Sequence, residues 1–143
     1  MGTKYRVRTA VHGWLDQVDG YGPSWDCGAG VIGHPITGLA INVNSFFAQG
    51  SYHGTYNAII ERWGQTDFAL GYVNGYDINN YANDWAGQNP AARIKGISAY
   101  VFTNSSFTTV VPFQVHILNS GWSQWIYSCH YLDAVIDAIR FNY

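Results

Sequence analysis

A six-position pattern that returns three times constrains this chain more than any other feature. Ile36-Thr37-Gly38-Leu39-Ala40-Ile41, Ile94-Lys95-Gly96-Ile97-Ser98-Ala99 and Ile136-Asp137-Ala138-Ile139-Arg140-Phe141 share the form apolar, any, small, apolar, any, apolar. Upstream of each lies a tryptophan beside a glycine: Gly13-Trp14, the reversed Trp63-Gly64, and Gly121-Trp122. Self-similarity of this kind marks diverged copies of one supersecondary unit, so three units are expected over about residues 5–45, 52–104 and 112–143 of a single domain spanning 1–143.

Within the units the local patterns are those of strands. Tyr5-Arg6-Val7-Arg8-Thr9-Ala10 and Phe113-Gln114-Val115-His116-Ile117-Leu118 alternate apolar with polar residues, and each opens nine positions ahead of its tryptophan. Asp19 to Ser24 and Asn74 to Asp84 are dense in turn formers and read as loops. Leu132, Val135, Ile136 and Ile139 also fit helical spacing, but the match to the other two copies favours a closing strand. The expectation is an all-β domain with rough threefold pseudosymmetry, β-prism-like, with a β-trefoil as the alternative. Ile36, Leu39 and Ile41 do not alternate strictly, so Gly38 is expected to mark a bulge or a close approach. Gly96 and Ala138 stand at the same point, and crowding near a shared axis would select such a small residue. Trp14, Trp63 and Trp122 recur with the scaffold and are assigned to the core.

Composition narrows the function. Charged residues are only 11% of the chain and the net charge is −2, which leaves no overall electrostatic footprint for nucleic acid. No apolar run approaches membrane-spanning length, so no membrane insertion is expected. Six Trp, eleven Tyr and seven Phe are more rings than one core absorbs, and surface Tyr and Trp suit recognition. Cys27 and Cys129 could form one bridge but do not decide a compartment. Met1-Gly2-Thr3-Lys4 leads straight into a strand-like segment, so action outside a cell would imply a removed leader, release by lysis, or excision from a longer protein.

Tyr5-Arg6-Val7, Gly13-Trp14-Leu15, Ala29-Gly30-Val31-Ile32-Gly33-His34-Pro35-Ile36 and Gly38-Leu39-Ala40-Ile41 together carry a resemblance. So do Gly71 to Tyr81 with Ala86-Gly87, and Phe113-Gln114-Val115-His116 with Gly121-Trp122 and Trp125. This set resembles the three-unit C-terminal module of clostridial and phage cell-wall lysins, found beside amidase or lysozyme domains, and is similar to the clostridial hydrophobic Gly-Trp repeat. The resemblance departs at Trp63-Gly64, which inverts the order, and at Tyr131-Leu132-Asp133, where an Ala-Gly loop would stand. It implies a non-catalytic targeting module that binds peptidoglycan or wall glycan, is extracellular or cell-wall located, secreted or released by phage lysis, and leaves catalysis to a separate domain.

Sugar recognition by a neutral protein needs flat rings for pyranose faces and planar amides or carboxylates for hydroxyls. The loops supply both. The candidates are Tyr21, Trp25 and Asp26 in the first unit, Tyr76, Asp77, Asn79, Asn80, Tyr81, Asp84 and Trp85 in the second, and Trp125, Tyr127, His130 and Tyr131 in the third. The plainer reading of each ring is that it braces its own loop. Nothing in the sequence asks for a cofactor. The five histidines lack metal-ligand spacing, and Asp77, Asn79, Asn83 and Asp84, which could hold calcium, are explained by turn formation.

Two other function classes compete. Asp26-Cys27-Gly28 superficially resembles the nucleophile motif of bacterial cysteine amidases, but Gly28-Ala29-Gly30 is a poor helix start for activating a thiolate. High Tyr, Asn and Gly with little charge also suits a self-assembling structural or protein-interaction domain, hence a homo-oligomer.

Overall fold

The computed structural model describes residues 4–19, 28–41, 53–62, 65–69, 85–87, 92–102, 110–127, 129–131 and 134–142. The protein is all-β, with no helix among the described residues. The first third carries β1 (Lys4–Thr9), β2 (Gly13–Trp14), β3 (Val18–Asp19), β4 (Ala29–Gly30) and β5 (Ile36–Ile41). The middle carries β6 (His53–Arg62), β7 (Gln65–Ala69), β8 (Ala86–Gly87) and β9 (Ile94–Phe102). The last third carries β10 (Phe113–Ile117), β11 (Gly121–Trp122), β12 (Cys129–Tyr131) and β13 (Ile136–Phe141). The recurring six-residue pattern thus lies in β5, β9 and β13.

Each of these closing strands pairs antiparallel with the strand that opens its own third of the chain, and the three registers coincide. Tyr5 faces Ile41, Tyr56 faces Ala99 and Phe113 faces Phe141; three residues on, Arg8 faces Gly38, Ile59 faces Gly96 and His116 faces Ala138. Thr9, Ile60 and Ile117 then face Ile36, Ile94 and Ile136, which leaves Thr37, Lys95 and Asp137 as the extra residue of a bulge in each pair. The bulge therefore lies one residue before Gly38. It also accounts for the helix-like spacing of Ile136 and Ile139: one inserted residue puts two core positions three apart within a strand.

Ile36, Leu39, Ile41, Ile94, Ile97, Ala99, Ile136, Ile139 and Phe141 are all buried in one hydrophobic cluster, joined by Tyr5, Tyr56 and Phe113. Each large apolar side chain so buried contributes about 1.5–3 kcal/mol. Tyr5 meets Phe141 edge-on at 4.9 Å, and its hydroxyl accepts the Phe141 N–H at 3.3 Å, satisfying a polar group that burial would otherwise strand.

The short strands complete the sheets by crossing between thirds of the chain. The sheet orders are β2-β1-β5-β8, with β3 also on β1; β11-β10-β13-β4; and β12-β9-β6-β7. β8 of the middle third joins β5 of the first, β12 of the last joins β9 of the middle, and β4 of the first joins β13 of the last. Ala29-Gly30 and Ala86-Gly87 take the same register, Gly30 facing Ala138 and Gly87 facing Gly38. Both glycines have positive φ, 134° and 150°, and a Cβ on either would strike main chain, Asp137 O and Thr37 O respectively. In the last third that place falls to Tyr131, facing Gly96, with His130 facing Ile97 where the other strands have alanine.

The middle hairpin differs from the other two. Trp14 faces Arg8 and Trp122 faces His116, but the residue facing Ile59 is Ala69.

Candidate functional site

Alternation in β1 buries Tyr5, Val7 and Thr9 and turns Arg6 and Arg8 to the opposite face. Because β2 pairs Trp14 with Arg8, and β5 pairs Gly38 with Arg8, these three share that outer face. Trp14 and Trp122 are half-buried and lie outside the hydrophobic cluster, which corrects their assignment to the core. The small residue of the pattern is likewise selected on the outer face and not at an axis. A Cβ on Gly38 would stand 3.1 Å from the Trp85 ring and 3.3 Å from Trp14, so a larger side chain would lift both indoles off the sheet.

The corner so formed is compact. Trp85, delivered by the residue before β8, meets Trp14 edge to face with centroids 5.7 Å apart. The Arg8 guanidinium lies 4.3 Å over the Trp85 ring and 5.9 Å from that of Trp14, in cation–π range of both. Its Nε donates to Thr37 Oγ1 at 3.1 Å and its Nη2 to Thr37 O at 3.0 Å, while the Thr37 hydroxyl donates to Arg8 O at 3.2 Å. Burial pushes the Arg8 guanidinium below its ordinary value, yet a guanidinium stays charged at neutral pH.

A related corner stands on the β10–β13 sheet. The Arg140 guanidinium lies 3.9 Å over Trp122, and its Nε donates to Gln114 Oε1 at 2.8 Å. Gln114 Nε2 donates in turn to Ser123 O at 2.7 Å. His116 meets Trp122 edge-on at 5.2 Å and donates from Nδ1 to Asp137 Oδ1 at 2.6 Å. The other oxygen of the fully buried Asp137 accepts Gly33 N–H at 2.8 Å, which pins the turn after β4 to this sheet. A carboxylate orienting an imidazole can serve a catalytic base. Here, among the described residues, His116 makes no second hydrogen bond that would connect it to a nucleophile. Nor, among those residues, do three His, Cys, Asp or Glu side chains gather as a metal site would require.

Of the residues singled out from sequence, Trp85 sits in the first corner. Trp125 is half-buried and Tyr127 is 62% exposed. His130 and Tyr131 fall within β12, at the register positions given above, and not in a loop. Tyr21, Trp25, Asp26, Tyr76, Asp77, Asn79, Asn80, Tyr81 and Asp84 lie outside the described residues, as do Cys27 and Trp63. Arg8, Trp14, Thr37, His116, Trp122, Asp137 and Arg140 were not anticipated as site residues. For the two tryptophans a signal existed: a short hairpin turn places Trp14 opposite Arg8 and Trp122 opposite His116, on the polar face of the opening strand.

No family model, no curated protein and no solved structure matches this chain.

Proposed function

We propose that the protein is a non-catalytic carbohydrate-binding domain, taking cell-wall glycan or peptidoglycan on the outer faces of its sheets. The observation that carries this reading is the Arg8–Trp14–Trp85 corner: two half-buried indoles around a fixed guanidinium. Indole faces stack on the apolar faces of pyranose rings, and a guanidinium supplies donors for ring hydroxyls and substituents. The Arg140–Trp122–His116 corner repeats the combination of indole and cation on a second sheet, with the arginine there fully buried.

In this proposal the chain is three pseudo-equivalent units in a β-prism-like arrangement. The coincident registers and the pairwise approach of β5, β9 and β13 support the prism over the trefoil. In this proposal, as the resemblance to lysin modules implies, the protein acts extracellularly or at the cell wall, with catalysis in a separate domain.

Co-sedimentation with purified peptidoglycan sacculi tests the reading. The protein is expected to leave the supernatant, and soluble wall glycan to return it. Trp14→Ala and Trp85→Ala are each expected to weaken binding about tenfold, equivalent to about 1.4 kcal/mol. Protein that stays in solution with sacculi but sediments by itself as a large particle would replace this reading with a self-assembling structural one.

A further inference from the structure

Two histidines stand outside both corners, and the fold brings them together from distant points of the sequence. His12 lies in the turn between β1 and β2 and His34 in the turn between β4 and β5; their rings meet with centroids 4.8 Å apart at an interplanar angle of 82°. Both turns are fixed. His12 N–H donates to Thr9 Oγ1 at 2.9 Å, and the same oxygen lies 3.2 Å from His12 Nδ1, which leaves Nε2 uncommitted on that ring. His34 N–H donates to Val31 O at 2.9 Å, Asp137 holds the Gly33 amide, and Pro35 narrows the backbone of His34. Among the described residues, neither ring nitrogen of His34 has a hydrogen-bond partner. His12 is exposed and His34 half-buried, and Val11 and Ile32 in the same two turns are 72% and 60% exposed, so the pair is open to solvent.

We infer that His12 and His34 chelate an exchangeable late transition-metal ion, Cu²⁺, Ni²⁺ or Zn²⁺, through one nitrogen of each ring. Imidazole nitrogens bind such ions at about 2.0–2.1 Å, so two rings on one ion, at ligand angles of about 90–109°, have centroids about 4.5–5.2 Å apart. The observed separation lies inside that range, so the two turns already stand at chelating distance. With Nδ1–H donating to Thr9 Oγ1, His12 offers Nε2 in the manner of metal-bound imidazoles, whose other nitrogen is held by a neighbouring oxygen. Imidazole suits these ions, whereas Mg²⁺ and Ca²⁺ take oxygen ligands. A resident metal would require a third protein ligand; two imidazoles, with water in the remaining positions, suit an ion that exchanges. This inference is independent of the glycan reading, since sacculus binding neither requires the ion nor supplies it.

Titration calorimetry of the whole chain with CuCl₂, NiCl₂ and ZnCl₂ tests it, with MgCl₂ as the comparison. Saturable binding is expected for at least one of the first three and none for Mg²⁺. His12→Gln and His34→Gln are each expected to weaken that binding about tenfold or more, because either one removes a second ligand held at high effective concentration. Electron paramagnetic resonance of the Cu²⁺-loaded chain should show nitrogen coupling from two imidazoles, falling to one in either variant. Unchanged thermal unfolding without metal shows that a variant is folded, and His12→Gln, at the exposed turn, decides the matter should His34→Gln fail to fold. Binding equally tight in either folded variant overturns the inference, because a lone imidazole or another site would then hold the ion. Absence of saturable binding by all three ions, or binding of Mg²⁺ as tight as theirs, overturns it too, and leaves His12 and His34 as a ring contact only.

Discussion

At the scale of single residues, the outer faces are held by contacts that tolerate little change. Gly87 carries the Trp85 ring folded back against it, at a φ of 150° and with Thr37 O only 2.6 Å from where a Cβ would stand. Gly87→Ala is therefore expected to cost on the order of 1–3 kcal/mol, the usual range for a side chain forced into such backbone. Denaturant unfolding measures it, and the tryptophan emission of the folded variant should shift as Trp85 moves off the sheet. An unchanged midpoint would mean that the close approach is not what selects glycine. Asp137 is the corresponding constraint on the other sheet. Its two oxygens hold His116 and the Gly33 amide, and the side chain has no exposed surface. Asp137→Ala removes both bonds, with an expected loss of about 1.5–3 kcal/mol for each charge-assisted bond. Stability equal to wild type would place those bonds among the dispensable ones.

At the scale of elements, the bulge is the device that builds the corners. It inserts Thr37 and Asp137 at the same register point, and each bonds the residue at the same place on the opening strand, Arg8 or His116. Bulges commonly re-aim a side chain next to a site. Thr37→Val keeps the β-branched shape but removes the hydroxyl that bonds Arg8 in both directions. It should leave the strand intact, cost about 1 kcal/mol and loosen the guanidinium. Arg8 Nε relaxation by NMR reads that loosening, and an equally rigid Arg8 would show that the indoles alone hold it. The bulge also explains what the sequence disclosed. The strands and the non-alternating Ile36, Leu39 and Ile41 were legible, because periodicity records which side chains are buried. The outward place of Gly38 was not, because one inserted residue changes the parity of a strand, and parity decides the face. Trp14 was misread for a related reason. Recurrence shows that a residue is constrained, whereas the side on which it packs depends on the register of the hairpin opposite Arg8.

At the scale of the whole molecule, the decisive feature is one that local pattern could not disclose. Each third of the chain gives a short strand to another: β8 to β5, β12 to β9, and β4 to β13. These gifts form a closed ring, since the first third completes the last. An open array of repeats unfolds in parts, because each unit meets only its neighbours in sequence. In a closed ring, removing any member leaves one sheet without its edge strand and another strand without a sheet to join. Unfolding is therefore expected as a single transition, with calorimetric and van't Hoff enthalpies equal. Two substitutions at opposite points of the ring sharpen the expectation. Gly87→Ala disturbs β8 on β5, and Gly30→Ala disturbs β4 on β13, where a Cβ would meet Asp137 O. If the ring is one cooperative unit, each variant lowers the same midpoint and the double variant lowers it by about their sum, within roughly 0.5 kcal/mol. Fluorescence from the Trp14–Trp85 corner and from the Trp122 corner would then report one curve, whichever glycine is changed. Were Gly30→Ala to unfold the β10–β13 sheet while the Trp14–Trp85 corner kept its wild-type midpoint, the sheets would be separable. The hand-on of strands would then be an edge decoration and not what closes the domain.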